Sequence, residues 1–215
     1  MIETHKYVTY KEISEIINQL EDYRDKVLVM LIFDGFYTNM DEIQNLTEED
    51  LEDKSRNRYL GGRKISGVTL RVIHKALKET QIHTFSSFKG GLDELIPSNY
   101  ILRERLGYLN RCDIKVGENF NGFAMNKQAI INRFSRMKRH YGLKFSLSTL
   151  YGSGVIHRGL KNIPLETPKH RVEFLNYLEE EEGVNRGMGY FYYKEFLKML
   201  PRLEKENQEK QEASE

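Results

Sequence analysis

The chain has 215 residues, of which 39% are hydrophobic and 30% are charged, and its mean hydropathy is −0.62. These values exclude a collagen-like chain and a wholly disordered one, and they predict a water-soluble globular protein. The longest strongly apolar run, Val27–Phe33, is far shorter than the roughly 20 residues that a membrane-spanning helix needs. The N-terminus also lacks the pattern of a secretion signal, so we expect a cytoplasmic protein with no membrane partner.

Cysteine and histidine are too sparse to predict a metal centre. Cys112 is the single cysteine and cannot form an internal disulfide. The six histidines never stand at ligand spacing from one another or from Cys112. We therefore expect neither a metal nor a cofactor.

The formal net charge of +1 hides a strongly uneven distribution. Residues 1–58 carry −7, residues 59–118 carry +4, residues 119–165 carry +8 and residues 166–215 carry −4. Residues 119–165 contain no Asp or Glu at all, although acids make up 32 of the 215 residues. A long acid-free segment favours a polyanionic partner, and a nucleic-acid backbone is the commonest one. The alternative is an uneven composition without functional meaning.

Capping residues and apolar spacing predict helices in the first 58 residues. Thr9 and Glu12 have capping-box spacing, and the apolar residues that follow recur with helical period. Asp25 is the predicted cap of a second helix, Lys26–Phe33, which is apolar nearly all round and therefore central to the core. Asn39–Glu42 and Thr47–Asp50 repeat the box spacing.

A short hairpin is predicted over Asn57–Ser66, with Gly61-Gly62 at its turn, and Ser66 can cap the next helix. The segment from Thr80 to Gly122 is irregular in pattern, and Ile101–Leu109 is compatible with either strand or helix.

The clearest functional element is a helix capped by Asn126. Its apolar stripe contains Ile130, Phe134, Met137 and Tyr141, and cations flank and oppose that stripe. A helix with one apolar face and one basic face packs on its domain and contacts an anion. The predicted phosphate contacts are the arginines of this helix and the lysines beside it: Lys127, Arg133, Arg136, Arg139 and Lys144.

Ser146 or Ser148 can open another helix, and the chain is expected to loop out at Pro164 and Pro168. A helix starting near Val172 follows, and the last helix is predicted over Tyr190–Leu200. Residues 203–215 are almost entirely polar and predict a charged, disordered tail after a single domain of residues 1–202.

Two segments together resemble the catalytic domain of tyrosine recombinases, the phage integrase family. Val27–Gly35 followed by Asp41–Leu51 is similar to that family's apolar helix, glycine turn and Glu-(Leu/Ile)-x-x-Leu helix. Lys144–His157 is similar to its second conserved helix. The likeness extends in order and spacing over residues 9–200, and it implies a mainly α-helical fold with a small β-hairpin or sheet.

The resemblance also implies where an active centre would lie, and most of its residue types are replaced. Asn39 stands at the position of the first catalytic Arg, and Ser148 and Tyr151 stand at the His-x-x-Arg pair. Arg63 or Lys64 matches the hairpin Lys. Tyr192 or Tyr193 matches the nucleophilic Tyr. Because a Tyr nucleophile needs positive groups around the scissile phosphate, we expect no strand cleavage.

The sequence thus predicts a catalytically degenerate recombinase-like protein of a phage or mobile element. It would bind duplex DNA, regulate transcription or recombination, and associate with the bacterial nucleoid. The helical clamp that normally precedes this catalytic domain is not expected within the chain, so a homodimer or a protein partner is predicted. His157 and Arg158 are further candidate contacts near the former active centre.

Two alternatives stay open at this point. The first is an active minimal recombinase that uses Tyr192 or Tyr193, with His157 and Arg158 replacing the lost cations. The second is a protein-interaction module whose basic face docks an acidic partner.

Overall fold

The computed structural model describes residues 7–37, 40–54, 57–85, 91–106, 124–163 and 168–212. The described part of the chain is mainly α-helical with small antiparallel sheets, as the sequence predicts. It divides into two compact units, one of residues 17–144 and one that joins the N-terminal residues up to Ile16 to the segment from Phe145 onward. Helix α1, Tyr10–Gln19, belongs to both, and the predicted Thr9–Glu12 capping box is present at its start.

Helix α2, Tyr23–Phe33, is the centre of the 17–144 unit. All seven residues of Val27–Phe33 are buried, because the segment is apolar on every side and no face of it gains from contact with water. It packs against α4, Gly67–Ala76, and α5, Lys127–His140, while the short α3, Met40–Asn45, also contacts α5. The helix begins earlier than predicted. Its N-cap is Asp22, and Asp25 is buried inside it rather than capping it.

Two small sheets accompany these helices. In the first, β1, Leu51–Lys54, pairs with β2, Asn57–Leu60, and β2 pairs with β3, Arg63–Lys64. Gly61 and Gly62 form the predicted turn with φ of 52° and 76°, a left-handed conformation that glycine adopts without a steric penalty. The hairpin is confirmed, and the structure adds β1 to it.

The second sheet lies in the segment whose pattern is irregular. Strands β4, Gln81–Thr84, and β5, Gly91–Glu94, pair in antiparallel register. Residues 101–105 form no regular strand or helix, and their backbone makes isolated bridges, such as Arg103 with Ala124. Leu106 is helical, and residues 107–109 of the segment predicted as strand or helix lie outside the described residues.

In the other unit, α6, Leu147–Asn162, packs against α7, Pro168–Glu180, and α8, Arg186–Glu212. Ser146 caps α6 by accepting a hydrogen bond from the Thr149 N–H at 3.1 Å. Pro168 begins α7 instead of lying in a loop, since the first helical position tolerates a residue without an N–H. The last helix runs on to Glu212, well beyond the boundary expected at Arg202.

Candidate nucleic-acid interface

Helix α5 is held in place by its cap and by its apolar stripe. The Asn126 side chain accepts a hydrogen bond from the Ala129 N–H at 2.9 Å, which fixes the start of the helix. Ile130, Phe134 and Met137 are buried, as the helical period predicts. The opposite side of the helix is therefore fixed toward solvent.

The solvent side of α5 carries polar and basic residues and no carboxylate. Its members are exposed and fall within an arc of roughly 100° at the helical repeat. We name this surface the α5 face, and it consists of Gln128, Asn132, Ser135, Arg136 and Arg139. The Gln128 Nε2 donates to the Asn132 Oδ1 at 3.0 Å, so these two amides orient each other.

Two further cations bracket this helix. Lys127 is exposed at its first position, where its backbone N–H donates to Gln44 Oε1 of α3 at 3.0 Å. Lys144 is exposed just after the turn at Gly142, whose φ is 66°. The structure thus presents Lys127, Arg136, Arg139 and Lys144 to solvent within one unit.

Arg133 does not belong to this surface, although the sequence predicts a phosphate contact for it. It is 8% exposed, and its Nε and Nη2 each donate to Asp25 at 2.7 Å. The Nη2 also reaches Asp22 Oδ2 at 2.7 Å, and Nη1 donates to the His83 carbonyl at 2.6 Å. The guanidinium carbon lies 4.0 Å from the centroid of the Phe85 ring. The prediction for Arg133 is wrong, because both its charge and its donors are used inside the protein.

His83 stands at the edge of the same ion cluster. Its Nδ1 lies 2.7 Å from Asp22 Oδ1, and its side chain is 45% exposed. The hydrogen bond to Asp22 raises the pKa of His83 above its usual value, against a smaller lowering by burial. His83 therefore carries more positive charge near neutral pH than an isolated histidine would.

The hairpin cations lie beside the turn that follows α2. The Arg63 guanidinium lies 5.3 Å from the centroid of the buried Phe36 ring, and Lys64 is exposed. Asp34 ties the end of the hairpin to the same turn, because it accepts hydrogen bonds from the Ser66 N–H at 2.8 Å and from the Thr69 hydroxyl. Arg63 thus approaches the turn in which the recombinase resemblance puts its first catalytic Arg. Asn39 itself lies outside the described residues.

The remaining candidate cations belong to the other unit, and neither offers a free charge. Arg158 forms a two-pronged ion pair with Glu182, with Nε–Oε1 at 2.6 Å and Nη2–Oε2 at 2.7 Å. His157 stacks on Tyr10 with ring centroids 4.8 Å apart. Burial lowers the pKa of His157 to about 4, helped by Lys161 and Arg158, so its ring is neutral at pH 7.

The positions matched to the recombinase active centre lie on α6 and α8. Ser148 is exposed with its hydroxyl 2.9 Å from that of Ser146, whereas Tyr151 is buried. Tyr192 is also buried, with its ring edge-on to Tyr7 at a centroid distance of 6.3 Å. Both of these rings pack on Gly152 of α6, where an added Cβ would lie 2.5 Å from Tyr7 and 2.9 Å from Tyr192.

Tyr193 takes a different direction from its neighbour. Its ring lies 6.2 Å from that of Phe174, and the Arg171 guanidinium lies 5.4 Å from its centroid. Tyr192 is thus the tyrosine that packs on α6 beside Tyr151. Both tyrosines are explained by packing within the unit.

Among the described residues, no group of three or more His, Cys, Asp or Glu side chains is arranged to hold a metal ion. No helix in the described part of the chain combines the length and the apolar character that crossing a membrane requires.

Four features together define a recombinase-like catalytic domain. They are a buried apolar helix, a glycine-containing turn beside a small hairpin, a basic helix, and a tyrosine-bearing last helix, α8, that packs on α6. The family model described as "MrpR, C-terminal catalytic domain" matches residues 7–198, and the chain belongs to this family. The match covers nearly the same residues as the resemblance seen in the sequence. No curated protein matches the chain.

Sequence reasoning missed three members of the α5 face, Gln128, Asn132 and Ser135. Their signal was available, because all three stand at helical spacing from Arg136 or Arg139. Being uncharged, they do not appear in a count of charges.

Proposed function

We propose that this chain binds duplex DNA and regulates transcription or recombination in a phage or mobile element, through a recombinase-like domain with a degenerate cutting centre. The observation that supports this proposal is the α5 face, which is exposed, basic and free of carboxylates in a segment of 47 residues, 119–165, without one acid. Lys127 and Lys144 extend its positive charge. Phosphate contacts from these cations supply affinity that is independent of sequence.

The residue types on the α5 face also suit base recognition. Arg pairs with the O6 and N7 of guanine through two parallel hydrogen bonds, and Asn or Gln pairs in the same way with adenine. An α-helix with its side chains is about 10–12 Å wide, which matches the roughly 12 Å width of the major groove. Arg136, Arg139, Gln128 and Asn132 are therefore the proposed contacts with base edges and nearby phosphates.

The proposed loss of cleavage rests on the residues at the positions that match the recombinase active centre. Ser148 and Tyr151 cannot supply the positive charge that the family's His and Arg give to the scissile phosphate. Loss of one such preorganised group typically costs about 10²- to 10³-fold in rate. Tyr192 is buried against Tyr7, which further separates its ring from solvent.

A fluorescence anisotropy titration with labelled duplex DNA at about 100 mM salt tests the DNA-binding proposal. The double variant R136A/R139A removes two cations of the α5 face. The control R186A/K198A removes two exposed cations of α8, so the change in net charge is the same. We expect at least about tenfold weaker binding for the first variant and less than twofold for the control. Equal losses, or no binding by the wild type, would contradict the proposal, and capture of an acidic protein in place of DNA would favour the interaction-module alternative.

Cleavage is tested separately on a nicked suicide substrate that traps the covalent protein–DNA intermediate. We expect no adduct with the wild-type chain. An adduct that disappears in Y192F or Y193F would instead identify an active recombinase.

A single helix contacts few phosphates, so stable binding is expected to need a homodimer or a second DNA-binding protein. Light scattering coupled to gel filtration, with and without duplex DNA, measures which of these forms.

A further inference from the structure

Arg24 is a buried cation with unused hydrogen-bond donors. It lies in the first turn of α2 and is 2% exposed. Its Nη1 donates to the Arg103 carbonyl at 2.6 Å, whereas its Nε and Nη2 have no partner among the residues that the structure describes. A buried donor without a partner is costly, so such a group needs an explanation.

The two unused donors form one edge of the guanidinium. The Nε and Nη2 N–H bonds point in parallel, which is the geometry that grips two oxygens of a carboxylate or phosphate. The chain uses this edge twice elsewhere: Arg133 holds Asp25 through Nε and Nη2, and Arg158 holds Glu182 in the same way. Among the described residues, no carboxylate forms a hydrogen bond with the corresponding edge of Arg24.

A cavity of about 170 Å³ within the 17–144 unit has Arg24 among its lining residues. Its lining combines four arginines, one acid, one amide and a small apolar part. These residues are Arg24, Phe85, Glu104, Arg105, Met125, Ala129, Asn132, Arg133 and Arg136. With four arginines against one acid in its lining, the cavity suits an anion of a few heavy atoms.

Several of these side chains are already engaged. Arg133 is neutralised by Asp22 and Asp25, and Arg105 pairs with Asp93 at 2.9 Å. The carboxylate of Glu104 accepts from its neighbour's backbone N–H at 2.9 Å. Arg24 and the exposed Arg136 are therefore the cations that an incoming anion would meet.

We propose that this cavity binds a phosphate group, with the Nε and Nη2 of Arg24 donating to two of its oxygens. A carboxylate has only the two oxygens that the Arg24 edge consumes. A phosphate has further oxygens, which can accept from Arg136 and from the amide of Asn132. Two sources can supply this phosphate, a small phosphate compound or the backbone of DNA.

Burial lowers the pKa of Arg24 to about 10, with a further lowering by the nearby Arg133. The guanidinium is still charged at neutral pH. The guanidinium loses hydration on burial, and an anion bound in the cavity would compensate for that loss.

Calorimetric titration of the full chain with inorganic phosphate, at constant ionic strength in a phosphate-free buffer, tests the proposal. Acetate is the comparison anion. The variant A129M fills the cavity from α5 without altering Arg24, and N18M is its control on the exposed side of α1, away from both the cavity and the α5 face. R24M removes the donors themselves, with its fold checked by circular dichroism.

We expect saturable binding of one phosphate per chain, with acetate at least about tenfold weaker. A129M should weaken phosphate binding at least about tenfold, as should R24M if it folds, and N18M should leave it unchanged. E104Q should tighten it, because the carboxylate repels the anion. Absence of saturable binding, equal affinity for acetate, or equal behaviour of A129M and N18M would overturn the proposal.

Competition between inorganic phosphate and duplex DNA identifies the source of the phosphate. If phosphate weakens DNA binding by the wild type and not by A129M, the cavity takes a backbone phosphate. If DNA affinity is indifferent to phosphate, the cavity takes a separate phosphate compound. The calorimetry itself needs no DNA, so its failure and the failure of the DNA-binding proposal are distinct results.

Discussion

The ion cluster around Arg133 gives the sharpest prediction about stability. In the variant R133M, a flexible apolar side chain replaces the guanidinium at a position that is 8% exposed. Four hydrogen bonds of 2.6–2.7 Å are lost, two of them to Asp25, one to Asp22 and one to the His83 carbonyl. The two aspartates, 4% and 1% exposed at their side chains, then lose their shared cation.

The expected loss in the free energy of unfolding depends on which buried carboxylate loses its ion pair. Asp22 keeps the His83 N–H at 3.1 Å and the His83 ring at 2.7 Å, so Asp25 is the carboxylate left without its ion pair. Removing one partner of a buried ion pair typically costs about 3–5 kcal/mol. We therefore expect R133M to lower the free energy of unfolding by about 3–5 kcal/mol, a large part of the roughly 5–15 kcal/mol of a typical domain.

Urea unfolding followed by circular dichroism measures this loss, and R133M/D25N is the matched second variant. Because the double variant removes the uncompensated charge together with its partner, it should recover at least about half of the loss. An NMR titration adds an independent readout. Arg133 lowers the pKa of His83 by repulsion, so R133M should raise that pKa further. A loss below about 1 kcal/mol, or a double variant less stable than R133M, would refute this account of the cluster.

Three further outcomes are expected. The four exposed cations on and beside the α5 face predict that log K for duplex DNA falls with log salt at a slope of roughly −3.6, and R136A/R139A should reduce its magnitude by about 1.8. G159A should destabilise the chain by about 1–3 kcal/mol in urea unfolding, because the new Cβ would lie 2.3 Å from the buried Phe174 ring. G187A should be nearly neutral, because the new Cβ would lie 3.4 Å from the Asn185 Oδ1. The raised pKa of His83 contributes stability that is fully present below the unfolded pKa of about 6.5 and is lost as pH rises through the higher folded pKa. Unfolding of the wild type in urea should therefore become easier as pH rises above about 6.5, and H83Q should show a smaller change over the same range.

The features that the sequence predicts correctly depend on residues close together in the chain. Ser66, Asn126 and Ser146 each cap a helix through a hydrogen bond to the residue three positions on. The Gly61-Gly62 turn forms a hairpin because both glycines accept positive φ. Because these interactions join residues that are only a few positions apart, the sequence pattern predicts them without knowledge of the tertiary fold.

The elements that the sequence does not predict depend on contacts between residues far apart in the chain. Strands β4 and β5 have no turn signature that sets their register, and their pairing is decided by contact between segments. The start of α2 was shifted because Asp25, a good cap by its chemistry, is instead required in the core as the partner of Arg133.

Composition alone determined that the middle of this chain is basic and acid-free, and the family resemblance indicated a recombinase-like domain. Only the tertiary structure decided which cations face solvent. Arg133 and Arg136 stand one turn apart on the same helix, yet one is buried and the other exposed. The difference arises from Asp22 and Asp25, more than 100 residues away in the chain, because an arginine enters the core only where the fold brings carboxylates to neutralise it.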